Sequence, residues 1–214
     1  MNGVLVFDMD GVLVDVTESY RETICRTVEH FTGKPLERAA IQEYKNRGGW
    51  NDDWALSHQI ITERGEWVTL QEVTDYFQNI FHGDGTNGLI LRERWMARPG
   101  LFERLSRRWK LAVFTGRQKW EAELTLERCA PGIVFDPIIG MHEVKRLKPD
   151  PEGLLAIAGA AWYVGDTVDD ARCAKAACVP FLGIAHDETL ATLLQAEGAV
   201  AVVPDINGIE EVIA

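Results

Sequence analysis

The first fifteen residues contain the feature that most restricts the fold. An unbroken apolar run, Val4–Phe7, is followed by Asp8, Asp10 and Gly11. Such a run is typical of a strand that is buried on both faces, as in a parallel sheet, and open α/β sheets bind ligands at the carboxyl ends of their strands. Asp8 and Asp10 would project to the same side, and two anions so close favour a bound divalent cation such as Mg²⁺. The alternative is a turn with two solvated aspartates.

The composition indicates a soluble globular protein. The 214 residues are 46% hydrophobic and carry a formal net charge of -11, from 33 acidic and 22 basic residues. An acidic chain without a Lys/Arg cluster argues against non-specific nucleic-acid binding, and no apolar run is long enough to span a bilayer. No secretory leader is recognisable, and the four cysteines have no metal-ligand or redox spacing. We therefore expect a cytoplasmic protein whose cysteines are reduced core residues. The expected state is a monomer or homodimer, between which the sequence does not decide.

The segment from Thr17 to Trp95 has helical periodicity and no buried-strand pattern. Helices are predicted at Thr17–Thr32, Glu37–Asn46, Asp52–Arg64 and Leu70–Phe81. Glycines mark the breaks between them. Most of the tryptophans of this segment are expected in the core of a helical bundle, namely Trp50, Trp54, Trp67 and Trp95.

The chain beyond Pro99 alternates between strands and helices. After a short helix to about Arg108, strands are predicted at Lys110–Thr115, Ile133–Ile139, Ala161–Gly165, Pro180–Ala185 and Ala199–Val203. Helices are predicted at Gln118–Cys129, Pro151–Gly159, Asp169–Ala177 and Asp187–Glu197. This alternation predicts an α/β fold: a Rossmann-like parallel sheet core with helices on both faces and an inserted α-helical domain. Residues 1–16 and 96–214 would form the core, and residues 17–95 the insertion.

Three further polar groups follow strands or precede helices in this second part. Thr115 and Gly116 could hold phosphoryl oxygens through a hydroxyl and backbone N–H groups, or Thr115 could simply cap a helix. Lys148 precedes two prolines and would be a rigidly placed cation, or a surface lysine in a loop. Asp166 would complete the cation site with support from Asp170, or both could cap the following helix.

These motifs resemble, in order, those of the haloacid dehalogenase-like superfamily. The resemblance rests on Asp8–Leu13, Thr115-Gly116, Lys148–Pro151 and Gly165-Asp166-x-x-x-Asp170, which span nearly the whole chain. The helical insertion between the first two motifs resembles the cap of the phosphoglycolate phosphatase and β-phosphoglucomutase branch. One departure is Cys178, which stands where relatives commonly end the last motif's helix with glycine.

The resemblance implies a role for each matched residue. Asp8 would be the nucleophile that forms an aspartyl-phosphate, and Asp10 would act as general acid and then general base. The catalytic set would include Thr115 and Lys148. The phosphate-binding set would be Asp8, Met9, Asp10, Thr115, Gly116, Arg117 and Lys148, with the part of Arg117 left open. Mg²⁺ would be held by Asp8, Asp166 and the main-chain carbonyl of Asp10, with Asp170 in support.

In capped relatives the insertion supplies substrate contacts. Here Arg47 could pair with a second anionic group and Trp50 could stack on a ring, although both could belong to a turn between two helices. Hinges are expected near Asp15–Ser19 and Leu91–Pro99. The expected function is a Mg²⁺-dependent phosphatase acting on a small phosphorylated metabolite. The alternatives are a phosphomutase of the same branch and a non-catalytic binding protein.

Overall fold

The chain forms two compact units in the computed structural model, which describes residues 3–213. One unit contains the residues up to Asp15 and those from Trp95 onward, and the other contains Val16–Arg94. The first is an α/β unit and the second is helical. None of the helices in the described range is long and apolar enough to cross a membrane.

The α/β unit is built on a six-stranded sheet. Its strands are β1 (Val4–Phe7), β4 (Lys110–Phe114), β5 (Ile138–Ile139), β6 (Ala160–Gly165), β7 (Phe181–Ile184) and β8 (Ala201–Val203). The order across the sheet is β5-β4-β1-β6-β7-β8, and all neighbours are parallel. The first apolar run of the sequence is therefore an interior strand, because it pairs on both sides. Two short strands, β2 (Val14–Asp15) and β3 (Arg94–Trp95), lie where the chain passes from one unit to the other.

Nine α-helices accompany the strands in the described residues. The helical unit contains α1 (Tyr20–Thr32), α2 (Arg38–Arg47), α3 (Asp53–Glu63) and α4 (Leu70–His82), and the α/β unit contains α5 (Leu101–Leu105), α6 (Lys119–Cys129), α7 (Glu152–Leu155), α8 (Val168–Ala177) and α9 (Glu188–Ala196). Two 3₁₀ helices cover Leu89–Arg92 and Ile206–Glu211.

Alternate residues of β1 pack against helices on opposite faces of the sheet. Val4 and Val6 belong to a buried cluster with residues of α8 and α9. Phe7 projects to the other face, where its ring meets Phe102 of α5 at a centroid distance of 5.4 Å. Because side chains alternate along a strand, an unbroken apolar run is what burial on both faces requires. The predicted α/β fold with a parallel sheet is confirmed.

The helical unit has its own aromatic core. Tyr20 of α1 packs on Phe77 and Phe81 of α4, and the Tyr20 and Phe81 ring centroids are 4.1 Å apart. The start of α4 is stabilised by a capping box, in which Thr69 and Glu72 each accept a hydrogen bond from the other's backbone N–H. Amphipathic spacing and this capping pattern explain why these helices could be predicted closely.

Two elements of the α/β unit are shorter than predicted. The strand expected over Ile133–Ile139 is limited to Ile138–Ile139, although the Asp136 N–H still donates to the Leu111 carbonyl at 2.8 Å. The helix expected over Pro151–Gly159 covers only Glu152–Leu155. There the chain continues in tighter turns, with the Ile157 N–H bonded to the Leu154 carbonyl at 3.2 Å.

The prediction for the tryptophans of residues 50–95 was wrong. Trp67 is 94% exposed, and Trp50, Trp54 and Trp95 are only partly buried. Trp67 lies between α3 and α4 rather than on a helix, so no helix face directs its side chain toward the core.

The cysteine prediction holds only in part, since Cys173 is buried but Cys178 is exposed. Cys178 ends α8 with φ 56°, the left-handed conformation in which glycine has no steric cost. Cys178 therefore adopts the helix-ending conformation that glycine would adopt in relatives, and α8 ends at the same place without a glycine.

Candidate active site

Three predicted site residues meet at the carboxyl edge of the sheet. Asp8 follows β1, Thr115 follows β4 and Asp166 follows β6, and β1 lies between the other two strands. The ladder fixes the backbone of the first two: the Asp8 N–H donates to the Val164 carbonyl at 2.8 Å, and the Thr115 N–H donates to the Ile139 carbonyl at 3.0 Å. Parallel strands present all their carboxyl ends at one edge, where α/β folds place their sites.

Lys148 is a buried cation at this edge rather than a surface lysine. Its Nζ donates to Asp8 Oδ1 at 2.8 Å, to Asp170 Oδ1 at 2.7 Å and to the Tyr163 hydroxyl at 3.0 Å. These three contacts match the three N–H bonds of an ammonium group, and the Phe114 carbonyl lies farther away at 3.5 Å. The side chain is only 2% exposed, so these partners replace water around the charge.

Asp170 uses both of its oxygens to organise the site. Oδ1 accepts from Lys148 and from the Tyr163 hydroxyl, each at 2.7 Å. Oδ2 accepts from the Thr167 N–H at 3.1 Å and from the Thr167 hydroxyl at 2.6 Å. Four donors occupy the four lone-pair positions of a carboxylate. Asp170 therefore caps α8 and holds Lys148 at the same time.

The cluster favours a charged lysine but contains more carboxylates than cations. Burial disfavours the ammonium of Lys148, but Asp170 and Asp8 outweigh burial and raise its pKa above the ordinary value. Burial likewise disfavours the Asp170 carboxylate, but Lys148 and further hydrogen bonds lower its pKa. For Asp8, burial together with Asp170 and Asp10 raises the pKa even though Lys148 opposes the shift. One ammonium thus does not compensate all the carboxylates, and a second cation would stabilise ionised Asp8.

The donor set fits Mg²⁺. Asp8, Asp166 and Asp170 each offer a carboxylate oxygen, and these oxygens all lie within 4.8 Å of one another. Oxygen-only donors of this charge suit a hard divalent cation. Since Asp170 already accepts four hydrogen bonds, Asp8 and Asp166 would be the better placed of the three to bind a cation directly. Gly11 leaves room for Asp166, because a Cβ at Gly11 would lie 2.0 Å from Asp166 Oδ2.

Thr115 is not a helix cap. The N-cap of α6 is Gln118, whereas the Thr115 hydroxyl accepts a hydrogen bond from the Arg117 N–H at 3.2 Å. Thr115 is 1% exposed and directly follows β4, so its position is fixed by the sheet. Met9 is fully buried, so its predicted phosphate contact is restricted to its main chain. Phosphate binding by Met9, Thr115 and Gly116 stays a prediction.

Arg117 contacts Asp10. Its Nε donates to Asp10 Oδ1 at 2.7 Å, its Nη2 donates to the same oxygen, and its Nη1 donates to the Thr125 hydroxyl at 3.3 Å. The Arg117 side chain is 1% exposed. In the sequence, Arg117 directly follows Thr115 and Gly116, which are predicted to bind phosphate. Nothing in the sequence indicated its contact with Asp10, because Arg117 and Asp10 are far apart in the chain.

The two predicted substrate residues of the insertion lie in the helical unit. Arg47 is exposed, and its guanidinium lies 5.1 Å from the centroid of the Tyr44 ring. Trp50 meets Tyr44 edge-on at 5.7 Å, and its carbonyl accepts from Lys45 Nζ at 2.7 Å. These contacts order the segment between α2 and α3. Substrate binding by Arg47 and Trp50 stays a prediction.

Tyr163 is a site residue that the sequence analysis missed. The sequence predicts only that Tyr163 belongs to a buried strand, Ala161–Gly165, and its hydroxyl group is the only hint of a polar role. The ring is fully buried, and the hydroxyl accepts from Lys148 and donates to Asp170. Buried tyrosine hydroxyls require such partners, so Tyr163 belongs to the polar cluster.

Replacing Tyr163 by Phe is expected to lower the free energy of unfolding by about 1–3 kcal/mol, because the buried ammonium of Lys148 loses an acceptor. Urea denaturation measures the change. Tyr76→Phe is the matched control, since it retains the ring that stacks on His30 at 3.9 Å and should cost about 0.5 kcal/mol or less. Equal losses in the two variants would contradict a role for the hydroxyl in supporting Lys148.

Comparison with known proteins agrees with the geometry. The model of the haloacid dehalogenase-like hydrolase family matches residues 5–184. An imidazoleglycerol-phosphate dehydratase of Phytophthora nicotianae is 32% identical over 201 residues, which cover 87% of this chain but 44% of that protein. The chain thus spans less than half the length of that relative.

Two further relatives match over most of their own length. A phosphoglycolate phosphatase of Cereibacter sphaeroides is 28% identical, with 85% of this chain and 84% of that protein covered. A phosphorylated carbohydrates phosphatase of Thermotoga maritima is also 28% identical, with 98% and 99% covered.

A solved structure from Thermotoga maritima, attributed to a β-phosphoglucomutase, shares the fold. Its TM-score is 0.70 at 24% identity, and the match covers 99% of this chain and 98% of that one. The likeness extends over the whole fold, and the residues matched by the family model include Asp8, Thr115 and Asp166. The chain therefore belongs to the haloacid dehalogenase-like hydrolases, as the resemblance of its four motifs predicted.

Proposed function

We propose that this hydrolase is a Mg²⁺-dependent phosphatase that releases phosphate from a small phosphorylated metabolite through an aspartyl-phosphate. The observation that carries the proposal is the contact of Lys148 with Asp8, 2.8 Å long, at the sheet edge beside Thr115 and Asp166. A carboxylate held by a buried cation is suited to attack an anionic phosphoryl group, since the cation offsets the repulsion between the two anions.

The proposed reaction has two steps. A carboxylate oxygen of Asp8 attacks phosphorus and the ester bond breaks, while Asp10 gives its proton to the departing oxygen. Asp10 then takes a proton from water, whose oxygen attacks phosphorus and breaks the bond to Asp8. Inorganic phosphate leaves, and the Asp8 carboxylate and the protonated Asp10 are restored.

The remaining residues orient and stabilise the phosphoryl group. Lys148, the Thr115 hydroxyl and the Gly116 N–H would bind its oxygens, which is the main contribution that a protein makes to phosphoryl transfer. Asp8 and Asp166 would hold Mg²⁺, with the Asp10 carbonyl as a third ligand and Asp170 in support. When bound, the metal supplies positive charge that offsets the charge of the transferring group. We also propose that Arg47 and Trp50 contact the rest of the substrate.

The test is release of inorganic phosphate from a panel of esters, with Mg²⁺ and with EDTA. The panel contains p-nitrophenyl phosphate, 2-phosphoglycolate, hexose phosphates and imidazoleglycerol phosphate, chosen after the names of the relatives. We expect Mg²⁺-dependent release from at least one ester. Interconversion of sugar phosphates without net phosphate release would instead indicate a phosphomutase, which would use the same aspartates. Absence of both activities would favour the non-catalytic alternative.

The cytoplasmic location and the state as monomer or homodimer stay predictions.

Mg²⁺ is expected to stabilise the folded protein, because the ion binds the carboxylates at the sheet edge only when they are brought together. At one hundred times its dissociation constant, the gain is about 2.7 kcal/mol. A thermal scan with and without Mg²⁺ measures it. Asp166→Asn should lose most of the shift, whereas Asp187→Asn should keep it, because Asn also serves as an N-cap at the start of α9. An equal shift in all three proteins would place the ion elsewhere.

A further inference from the structure

The contact between Arg117 and Asp10 is a built feature of the sheet edge rather than a surface ion pair. The Arg117 side chain is 1% exposed, while that of Asp10 is 31% exposed. A buried guanidinium requires paired partners, and the Asp10 carboxylate is such a partner, contacted by Nε at 2.7 Å.

The arginine is itself fixed at two further points. Its Nη1 donates to the Thr125 hydroxyl on α6 at 3.3 Å, and its backbone N–H donates to the Thr115 hydroxyl at 3.2 Å. Thr125 is fully buried. The backbone of Arg117 is therefore held by Thr115, directly after β4, and its guanidinium by Thr125 of α6. A donor fixed at both ends in this way orients whatever it binds.

The two donors converge on one oxygen of the aspartate. Both Nε and Nη2 donate to Asp10 Oδ1, instead of forming the fork in which arginine contacts both carboxylate oxygens. One oxygen is thus used for orientation, and Oδ2 is left as the oxygen that can carry a transferable proton. A general acid needs one oxygen that is held in place and another that carries the proton, because the proton must point at the atom that receives it.

We propose that Arg117 is the positioning residue of the acid–base aspartate. It holds Asp10 by Oδ1, so that Oδ2 delivers the proton to the departing ester oxygen and later accepts a proton from water. The inference rests on the proposed phosphatase function, and it assigns to Arg117 a role different from phosphate binding.

The leaving group provides the test. A p-nitrophenolate leaves as a stable anion and needs little help from an acid, whereas an alkoxide must be protonated. The value of kcat/KM reports the steps up to loss of the leaving group, so it is insensitive to the later attack of water. Arg117→Lys retains the charge but loses the planar group with its convergent donors.

We expect Arg117→Lys to lower kcat/KM for an alkyl phosphate of the panel by about 10- to 100-fold, and for p-nitrophenyl phosphate by about 3-fold or less. A residue that binds phosphate would lower both values alike, and equal losses would overturn the proposal. Arg104→Lys is the control: Arg104 is an exposed residue paired with Glu210, and neither kcat/KM should change.

A double-mutant cycle tests whether Arg117 acts through Asp10. In an Asp10→Asn background, Arg117→Lys should cause little further loss with the alkyl phosphate, because the group it positions is absent. Losses that multiply independently would overturn the proposal. Thermal unfolding of each variant shows whether it is folded.

Thr125→Val provides a second route should Arg117→Lys not fold. It removes one hydrogen-bond acceptor of Arg117 and keeps the side-chain shape, so it should show the same preference for p-nitrophenyl phosphate with a smaller loss. A uniform loss on both esters would overturn the proposal in this variant too. Failure of the proposed function is distinguishable, because the wild-type protein would then release no phosphate from any ester.

Discussion

Replacing Asp8 by Asn is expected to lower kcat for phosphate release by at least about 10³-fold, the order of loss found when a nucleophile is removed. The carboxamide has the shape of the carboxylate but is a poor nucleophile, and it removes a negative charge from the predicted metal site. The packing should persist, since Asp8 lies at the end of a strand whose four residues are all buried. The measurement is phosphate release from p-nitrophenyl phosphate with Mg²⁺.

Asp187→Asn is the matched control for this substitution. Asp187 is the N-cap of α9, where its side chain accepts from the Leu190 N–H, and Asn caps helices about equally well. The control should retain wild-type activity within about twofold, since Asp187 is an exposed residue and its replacement keeps the cap. Activity that survives in Asp8→Asn would contradict the assignment of Asp8 as nucleophile. Loss in both variants would point to damage that is not specific to the site.

Replacing Lys148 by Met is expected to lower the free energy of unfolding by about 3–5 kcal/mol, because it leaves two buried carboxylates without their cation. Lys148 contacts Asp8 at 2.8 Å and Asp170 at 2.7 Å, and Asp170 is fully buried. Methionine retains much of the side-chain volume, so the loss would come from the charge rather than from a cavity. Urea denaturation of the metal-free protein at neutral pH measures the difference.

Two comparisons make the result specific. Lys119→Met removes an exposed lysine that lies 3.8 Å from Glu123, and it should change the stability by about 0.5 kcal/mol or less. Adding Asp170→Asn to Lys148→Met should recover part of the loss, since one of the uncompensated charges is then absent. A cost below about 1 kcal/mol for Lys148→Met would contradict the buried ion cluster. If the losses of stability caused by Lys148→Met and Asp170→Asn simply add in the double variant, the cost of Lys148→Met does not come from leaving Asp170 unpaired.

The elements predicted closely are those with a complete local signal. β1 was predicted from an unbroken apolar run, and α4 from its helical spacing and the Thr69 capping box. The failures occurred where the local pattern was ambiguous. The apolar residues of 133–139 suggested a longer strand, but the strand covers only Ile138–Ile139. As an aromatic residue, Trp67 suggested a core position, but it lies in the loop that joins α3 to α4 and is exposed. A residue type alone does not determine burial when no periodicity directs its side chain.

The sequence by itself determined the residue types at the strand ends and the order of the four motifs, because a carboxylate after a buried strand is a local feature of the chain. The partners of those residues were decided only by the tertiary structure. Asp8 meets Lys148 across 140 positions, and Asp10 meets Arg117 across 107. Such contacts depend on the order of the strands in the sheet, which no local pattern encodes. The hydroxyl of Tyr163 likewise became part of the site only in the folded unit, where it contacts Asp170 and Lys148, 7 and 15 positions away in the chain.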